Sequence, residues 1–397
     1  MTRFSKLLKP EIQEFIRTHE KDDVAKLILK GSPFKGIDMQ WIAQQIRGRQ
    51  VAKHKLPYLY NTSNIMFPPK LNLEQASSQF TASYKSNIID FNSSVIDLTG
   101  GLGIDTYAFT SKTNDVTYCE ISSETYSYAT HNFNTLKKGI KTFHTDGIAY
   151  LNQTKKYFDW IYIDPGRRNY FNNKVFRLED CLPNVLEHIN LFRTKGKQVM
   201  IKISPLLDIN LILKQLPDIL EIYIIAYKNE VKELLLILDF KTETAHRKIK
   251  AVNLGTAHKI FTNNYDDLTL PQDLSLPSKY LYEPNAAIMK SGFYGAICKT
   301  FGLSALAINS HLFTSDRFIE FPGRSFKVNK VIPAKKKEVY KYLPTKQANV
   351  STRNYPLKPE QIKKKYKLKD GGSNFVFFTQ NFNNEKIVLI CEKIKQP

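Results

Sequence analysis

Cysteine is scarce in this 397-residue chain, and its histidines follow no pattern. The four cysteines stand singly at widely separated positions: Cys119, Cys181, Cys298 and Cys391. The sequence has no C-x-x-C pair, and its eight histidines form no H-x-x-H arrangement. It therefore predicts no zinc knuckle, iron–sulfur site or other metal centre. Isolated cysteines of this kind are typical of buried thiols in a reducing compartment.

Long hydrophobic runs are also missing. No stretch of about 18 apolar residues occurs, so the sequence predicts no membrane-spanning helix. The first 20 residues carry acidic side chains and no apolar centre, which is unlike a secretory signal peptide. These two absences, together with the single cysteines, predict a cytoplasmic protein.

Acidic residues are in deficit, with 37 Asp and Glu against 58 Lys and Arg, which gives a net charge of +21. Genome bias would spread this excess evenly, whereas a polyanionic partner would favour a cluster. Fourteen basic residues lie between Lys327 and Lys369, where Glu338 and Glu360 are the only acids. The clustering favours nucleic acid. The candidate phosphate-binding residues are Lys335, Lys336, Lys337, Arg353, Lys363, Lys364 and Lys365.

The composition, 42% hydrophobic and 12% aromatic, excludes disorder as the main state, and the length predicts two to three domains. Residues 1–88 have helical periodicity and end in a polar, helix-like run over 71–85. Residues 89–245 alternate short apolar runs with helical patterns. The runs are SVIDL, VTYCE, IKTFHTD, DWIYIDP, QVMIKIS, EIYIIAY and ELLLILDF. This order predicts an α/β fold with a mostly parallel sheet that ends in an antiparallel pair.

A glycine-rich turn follows the first of these runs, in VIDLTGGLGIDT at 95–106. Asp97 closes the apolar run, and Gly100, Gly101 and Gly103 precede a helix. Glycines at such a position let the backbone approach a ligand beside a helix N-terminus. The signal is weak alone, since several cofactors use the same turn. The absence of G-K-[ST] argues against a P-loop nucleotidase.

Acids at the ends of the next three runs strengthen this signal. Glu120, Asp146 and Asp164 each close an apolar run, as Asp97 does. Ligands bind at the carboxyl edge of open α/β sheets. Glu120, 23 residues after Asp97, could accept hydrogen bonds from ribose hydroxyls, and Asp146 could accept one from an adenine amino group. Any single acid of this kind could instead cap a helix.

This pattern resembles the class I S-adenosylmethionine-dependent methyltransferases over roughly residues 89–243. The resemblance implies a Rossmann-like sheet of seven strands. It also implies that Asp97, Thr99 and the turn from Gly100 to Gly103 hold the methionine end of S-adenosylmethionine, with Glu120 on the ribose and Asp146 on the adenine. Asp105 is a further candidate near the sulfonium, or simply an acid in the first turn of a helix.

The chain as a whole resembles bacterial methyltransferase-like proteins with a C-terminal THUMP-like domain. The segments that carry the resemblance are WIAQQIRGRQVAKHKLP (41–57), EQASSQFTASYK (74–85), DLTGGLGIDT (97–106), IDPGRR (163–168), YLYEPNAAIMKSG (280–292) and TRNYPLKPEQIKKKYKLKDGG (352–372). The resemblance implies a ferredoxin-like α+β unit over 250–325 and a basic THUMP-like domain over 326–397. It also implies an RNA substrate, because THUMP domains accompany RNA-modifying enzymes.

The segment from Asp164 to Arg168, DPGRR, stands where amino-methyltransferases carry D/N-P-P-Y/F/W. In those enzymes the acid or amide orients the target amine, so catalysis is largely positioning. Asp164 and Pro165 match, while the second proline and the aromatic are absent. Arg167 or Arg168 could stack on a base or bind a phosphate, or simply pair with surface acids.

The leading hypothesis is a methyltransferase that uses S-adenosylmethionine and acts on RNA, either rRNA or tRNA. Two alternatives stay open. One is an RNA-binding protein that holds the cofactor without turning it over, and the other is a methyltransferase for DNA or protein. Near the C-terminal region, Glu283-Pro284-Asn285 is predicted to be a turn.

Overall fold

The computed structural model describes residues 3–167, 177–241, 247–257, 260–265 and 269–395. The chain divides into two compact units. The first comprises residues 1–219 and 235–243, and the second comprises residues 220–234 and 244–397.

The first unit begins with a helical segment, as predicted. Its helices are α1 (Arg3–Leu7), α2 (Pro10–Thr18), α3 (Val24–Lys30), α4 (Met39–Lys55), α5 (Pro57–Tyr60), α6 (Lys70–Gln75) and α7 (Gln79–Ser86). Helix α4 begins where Asp38 accepts a hydrogen bond from the N–H of Gln40 at 2.8 Å. Ile42 and Ile46 of α4 are fully buried in the core of this segment. Burial of each such side chain stabilises the fold by about 1.5–3 kcal/mol.

The polar run over 71–85, predicted to be helix-like, forms two helices, α6 and α7, with a break between them. Ala76 leaves the helix with φ −62° and ψ 157°. The hydroxyl of Ser78 then accepts a hydrogen bond from the N–H of Thr81 at 3.1 Å and caps α7. A serine side chain satisfies an unpaired helix N–H in this way, so the break costs little. The break leaves Ser77 between the two helices.

The main sheet of the first unit is parallel. Its strands are β1 (Val95–Asp97), β2 (Val116–Glu120), β3 (Lys141–His144), β4 (Phe158–Ile163) and β7 (Gly196–Ile203), and β5 (Gly166–Arg167) pairs with β6 (Cys181–Leu182). The order is β3-β2-β1-β4-β7. The helices of this part are α8 (Ile104–Phe109), α9 (Ser123–Thr135), α10 (Gly147–Gln153), α11 (Val185–Lys195) and α12 (Ile209–Gln215), with a short 3-10 helix at Leu178–Asp180.

The parallel order brings the carboxyl ends of four neighbouring strands to one edge. Asp97 is the last residue of β1, and Glu120 is the last residue of β2. Asp146 follows β3 at the start of α10, and Asp164 follows β4 directly. Since parallel strands end on the same side of a sheet, the four acids lie along the edge where such folds bind ligands.

The second unit starts with a hairpin. Strands β8 (Ile219–Tyr227) and β9 (Glu230–Asp239) are joined by Lys228 and Asn229, whose φ angles are 49° and 66°. Two such residues form the tight turn of an antiparallel pair, as the sequence predicted, but the prediction that the sheet ends in this pair was wrong, because two further strands continue it beyond β8. The division between the units falls within these strands, so residues 220–234 belong to the second unit. Strand β10 (Lys248–Leu254) pairs parallel with β8 and antiparallel with β11 (Ile260–Asn264).

The rest of the second unit is an α+β module. Its strands are β12 (Tyr280–Pro284), β13 (Ser304–Ala305), β14 (Phe313–Ser315), β15 (Gly323–Pro333), β16 (Asn349–Thr352), β17 (Asn374–Gln380) and β18 (Lys386–Lys393), in the order β13-β14-β12-β15-β18-β17-β16. Its helices are α13 (Ala286–Ser291), α14 (Tyr294–Phe301), α15 (Lys336–Tyr342) and α16 (Pro359–Tyr366). The two terminal strands predicted from the sequence are β17 and β18.

The prediction of a turn at Glu283-Pro284-Asn285 was wrong. Glu283 and Pro284 lie inside β12, where Glu283 pairs with Arg324 of β15. Asn285 caps α13 by accepting a hydrogen bond from the N–H of Ile288 at 3.1 Å. Pairing with β15 overrides the local turn preference of this tripeptide.

The predicted fold class is confirmed. The chain has a helical N-terminal segment, an α/β part with a largely parallel sheet, and an α+β module at its C-terminal end. The predicted strand runs are β1, β2, β3, β4, β7, β8 and β9.

Candidate active site

The glycine-rich turn after β1 requires all three of its glycines. An added Cβ on Gly100 would come within 2.1 Å of the Tyr118 ring, and one on Gly103 within 2.1 Å of the Phe133 ring. Gly101 has φ 55° and Gly103 has φ 71°, a conformation that other residues rarely adopt. A Cβ on Gly101 would meet nothing closer than 3.7 Å. The side of Gly101 on which a Cβ would project therefore faces open space.

Glu120 ties the end of β2 to this turn. One carboxylate oxygen accepts a hydrogen bond from the N–H of Gly101 at 2.8 Å, and the other accepts one from the N–H of Ser122 at 2.6 Å. The phenolic hydroxyl of Tyr118, on the same strand, donates to the carbonyl of Gly101 at 2.6 Å. Each carboxylate oxygen has further acceptor capacity, so Glu120 can also receive hydroxyl donors from a ligand.

Asp97 is an almost fully buried acid, with 1% of its surface exposed. It accepts hydrogen bonds from the Thr106 hydroxyl at 2.6 Å and from the N–H of Thr99 at 3.0 Å, both uncharged donors. Burial raises the pKa of Asp97 to about 7, and the nearby charges of Asp105 and Asp164 contribute in the same direction. Among the described residues no lysine or arginine forms an ion pair with Asp97, so a positively charged ligand would favour its ionised form.

Asp105 lies in the first turn of α8 and is also buried. Its carboxylate forms an ion pair with Lys85 at 2.9 Å and accepts hydrogen bonds from the hydroxyls of Ser77 and Tyr162 at 2.7 and 2.8 Å. The sequence did not predict these three partners. Two of these partners, Ser77 and Lys85, lie in the segment 74–85 that carries the family resemblance, and this was the available signal.

Asp146 serves as a helix cap, which was the alternative open for any single strand-end acid. It is exposed, and its carboxylate accepts a hydrogen bond from the N–H of Ala149 at 2.8 Å. The next residue must be small, because a Cβ on Gly147 would come within 2.1 Å of the carbonyl oxygen of Leu98. The cap leaves acceptor capacity on the exposed carboxylate.

Asp164 is held on two sides. Its N–H donates to the hydroxyl of Thr99 at 2.7 Å, and its carboxylate forms an ion pair with Lys202, which the sequence did not single out. Lys202 lies near the end of β7, and 13% of its side chain is exposed. Pro165 is buried. The backbone of Arg167 belongs to β5.

Arg168 lies outside the described residues. No structural statement is therefore made about this candidate for substrate binding.

The C-terminal lysines surround two neighbouring helices of the second unit. Lys335, Lys336 and Lys337 at the start of α15 are exposed, as are Lys364 and Lys365 on α16. The two helices share one core, and the hydroxyl of Tyr366 donates to the carbonyl of Ala334 at 2.9 Å. Lys335 follows Ala334 and Lys365 precedes Tyr366, so the two lysine runs lie close together.

Two of the predicted phosphate-binding residues are engaged in ion pairs. Lys363 pairs with Asp370 at 3.0 Å. Arg353 pairs with the buried carboxylate of Glu283 at 2.7 Å, and Arg324 pairs with the same carboxylate. Much of their charge is therefore balanced within the protein, in contrast to the exposed lysines.

Within the described ranges, no group of three or more His, Cys, Asp or Glu side chains is arranged to hold a metal ion. Likewise, no helix in the described part of the chain is both long enough and apolar enough to cross a membrane. The four cysteines are buried free thiols.

Two family models match the C-terminal part of the chain. A ferredoxin-like domain matches residues 280–322, and a THUMP domain-like model matches residues 323–393. A crystal structure from Porphyromonas gingivalis W83, of a protein assigned to the methyltransferases, is 30% identical to this chain. The match covers 98% of this chain and 99% of the other, with a TM-score of 0.88. The chain belongs to this family of class I S-adenosylmethionine-dependent methyltransferases with a THUMP-like domain.

One curated relative is similar over a shorter stretch. It is an uncharacterized RNA methyltransferase of Mycoplasma mobile, MMOB5020, which is 29% identical over 140 residues. The match covers 33% of this chain and 38% of the relative. The chain thus spans well under half of the relative's length.

The residues at the carboxyl edge fit the family's cofactor. S-adenosylmethionine carries positive charge on its sulfonium and ammonium groups, and Asp97 is a buried acid without a cationic partner among the described residues. The open side of Gly101 leaves room for a ligand against the backbone. Glu120 offers fixed acceptors for hydroxyl donors.

Proposed function

We propose that this protein transfers a methyl group from S-adenosylmethionine to RNA. The observation that carries the proposal is the alignment of Asp97, Glu120 and Asp164 beside the glycine turn, along one edge of a parallel sheet. The family assignment supports the reaction class, and the basic C-terminal helices support the substrate class.

The cofactor would lie along the glycine turn. Asp97, Thr99 and the turn from Gly100 to Gly103 would hold its methionine end, with Asp105 near the sulfonium. Glu120 would accept the ribose hydroxyls and Asp146 the adenine amino group. When bound, the cofactor supplies an electrophilic methyl group, and the protein supplies binding and orientation.

The acceptor would enter beside Asp164, whose backbone is fixed by Thr99 and whose carboxylate is fixed by Lys202. An oxygen of Asp164 would accept a hydrogen bond from the target group and align its lone pair with the methyl group, together with Pro165. Arg167 and Arg168 would bind the RNA beside this point.

RNA is the proposed substrate for three reasons. The exposed lysines of α15 and α16 form a basic surface suited to phosphates. A THUMP domain-like model matches this region, and the Mycoplasma mobile relative is described as an RNA methyltransferase.

The buried free thiols suit a reducing compartment, so the proposed location is the cytoplasm.

The decisive experiment supplies the purified protein with S-adenosylmethionine labelled in its methyl group. RNA from a strain lacking the gene should become labelled, whereas RNA from the parent strain should not, because its sites are already methylated. Mass spectrometry of the nucleosides would identify the product. Labelling of DNA or protein instead of RNA would contradict the substrate, and no labelling of any fraction would contradict the reaction.

The raised pKa of Asp97 predicts how the affinity for the cofactor depends on pH. In the free protein its pKa is raised to about 7 by burial, so at pH 6 most molecules carry the neutral acid. A bound cation favours the ionised form, so affinity rises as the pH increases through 7. We expect S-adenosylmethionine to bind about tenfold more weakly at pH 6 than at pH 8, by calorimetry. Asp97→Asn should bind weakly with a flat pH profile, and equal wild-type affinity at both pH values would contradict this assignment.

The exposed lysines of α16 predict a salt effect on RNA binding. Each phosphate contact on a single strand contributes a slope of about −0.7 to log affinity against log salt. Lys364→Ala/Lys365→Ala should therefore weaken binding and flatten the slope by about 1.4 if both lysines contact phosphates. Lys21→Ala/Lys26→Ala removes the same charge from exposed positions in the N-terminal segment and is the matched control. An identical slope in both variants would make the lysine run a merely solvated face.

A further inference from the structure

Lys85 is fully buried, with 0% of its surface exposed, in the helical segment that precedes the sheet. It lies on α7, and its ammonium group contacts the carboxylate of Asp105 at 2.9 Å and the hydroxyl of Ser77 at 2.8 Å. A buried ammonium loses its hydration, so it is retained only where a partner compensates for that loss. Here the partner is an acid that follows the glycine turn by two residues.

The carboxylate of Asp105 is fixed from three elements. Ser77 between α6 and α7 donates to it, Tyr162 of β4 donates to it, and Lys85 of α7 pairs with it. Burial tends to raise the pKa of Asp105, but the charges of Lys85 and Lys202 outweigh burial and hold it below its ordinary value. Asp105 is therefore an ionised, immobile carboxylate at working pH.

This network reaches Asp97 through two direct connections. Thr106, next to Asp105 in α8, donates its hydroxyl to Asp97 at 2.6 Å. Tyr162 is the β4 residue that pairs with Asp97 in the sheet, and its carbonyl accepts the N–H of Leu98 at 3.0 Å. The segment 77–85 thus supports both sides of the turn that carries Asp97.

Lys85 compensates Asp105 and Lys202 compensates Asp164, while the buried Asp97 receives only uncharged donors. Glu120 and Asp146 also have no basic partner among the described residues, but they are less buried than Asp97. Asp97 is therefore the acid of this edge that combines burial with the lack of a described cationic partner, which suits a positively charged ligand.

We propose that Lys85 and Ser77 are positioning residues of the cofactor site. They fix the carboxylate of Asp105 and compensate its negative charge, so that Asp97 takes the positive charge of the cofactor. This inference rests on the proposed binding of S-adenosylmethionine. It makes the helical segment before the sheet part of the cofactor site, because Ser77 and Lys85 of that segment contact Asp105.

Tyr58 of α5 and Tyr118 and Cys119 of β2 also lie near Asp97 and Asp105. Tyr162 of β4 donates its hydroxyl to Asp105. Burial raises the pKa of Cys119 to about 12 and raises the pKa of both Tyr58 and Tyr118. Proton release on cofactor binding is therefore assigned to Asp97 and Asp105.

The test counts the protons released when S-adenosylmethionine binds at pH 6, by calorimetry in buffers of different ionisation enthalpy. The wild-type protein should release about one proton, from Asp97. In Lys85→Gln, Asp105 loses its compensating charge and becomes protonated in the free site, so release should approach two as the coupled acids ionise together. Ser77→Ala should release an intermediate number of protons. This variant decides the question if Lys85→Gln does not fold.

The matched control is Lys156→Gln, which breaks the ion pair with Asp115 elsewhere in the same unit. It should release one proton, as the wild type does. A purely structural role for Lys85 predicts weaker binding with unchanged proton release, and that result would overturn the inference alone. Failure of the wild-type protein to bind S-adenosylmethionine at any pH would overturn the proposed function itself.

Discussion

Gly101→Val is expected to abolish binding of S-adenosylmethionine in a protein that still folds. Gly101 has φ 55°, which a β-branched residue adopts only with strain, and its N–H holds the carboxylate of Glu120 at 2.8 Å. The added Cβ would meet no protein atom within 3.7 Å and would project into the space left open beside the turn. We therefore expect binding to fall below detection by calorimetry.

Backbone strain alone can be separated from this effect. Gly36 has φ 72°, and a Cβ added there would meet nothing within 4 Å, far along the chain from the turn. Gly36→Val thus carries a similar strain without entering the site. It should lower thermal stability about as much as Gly101→Val does while leaving cofactor affinity unchanged. Wild-type affinity in folded Gly101→Val would remove the turn from the cofactor site.

The strand-end acids could be predicted because their signal is local. Asp97, Glu120 and Asp164 each follow an apolar run, and parallel strands bring their ends together without further information. The partners of these acids could not be found in the same way. Lys202 is 38 residues after Asp164, and nothing in the pattern of its own strand indicates which acid it meets.

For Lys85, the sequence shows part of the signal for burial but not the acidic partner. Helix α7 buries Thr81, Ala82, Lys85 and Ser86, which recur with helical spacing on one face. A lysine on a buried helix face requires a compensating acid, yet the sequence does not say which one. The break before Ser78 was not predicted either, because the run contains several serines and the pattern does not say which of them caps a new helix.

Glu283 shows how strand pairing can override a local signal. Proline and asparagine beside it favour a turn, but β15 pairs with β12 along its whole length, through Glu283 and Pro284. The pairing places Glu283 opposite Arg324, and Arg353 reaches the same carboxylate. Arg353 therefore has a partner inside the protein that a count of basic residues could not reveal.

Asp164→Ala is expected to leave cofactor affinity nearly unchanged and to reduce methyl transfer by about 100-fold or more. Asp164 lies at the acceptor side of the edge, so its loss should appear in kcat rather than in the Kd of S-adenosylmethionine. The matched control is Asp159→Ala, which removes an acid from the opposite end of β4, where Asp159 accepts hydrogen bonds from Ser94. That variant should lose stability and keep its kcat.

Asp164→Asn then identifies what the side chain supplies. Its amide oxygen can still accept a hydrogen bond from a target amine, but the charge that pairs with Lys202 is gone. If Asp164 acts by orienting the acceptor, the asparagine variant should recover much of the activity lost in Asp164→Ala. If the negative charge itself is needed, both variants should be equally slow, because Lys202 then faces an uncharged group at the point of transfer. Full activity in Asp164→Ala would contradict both roles and place the chemistry elsewhere on the protein.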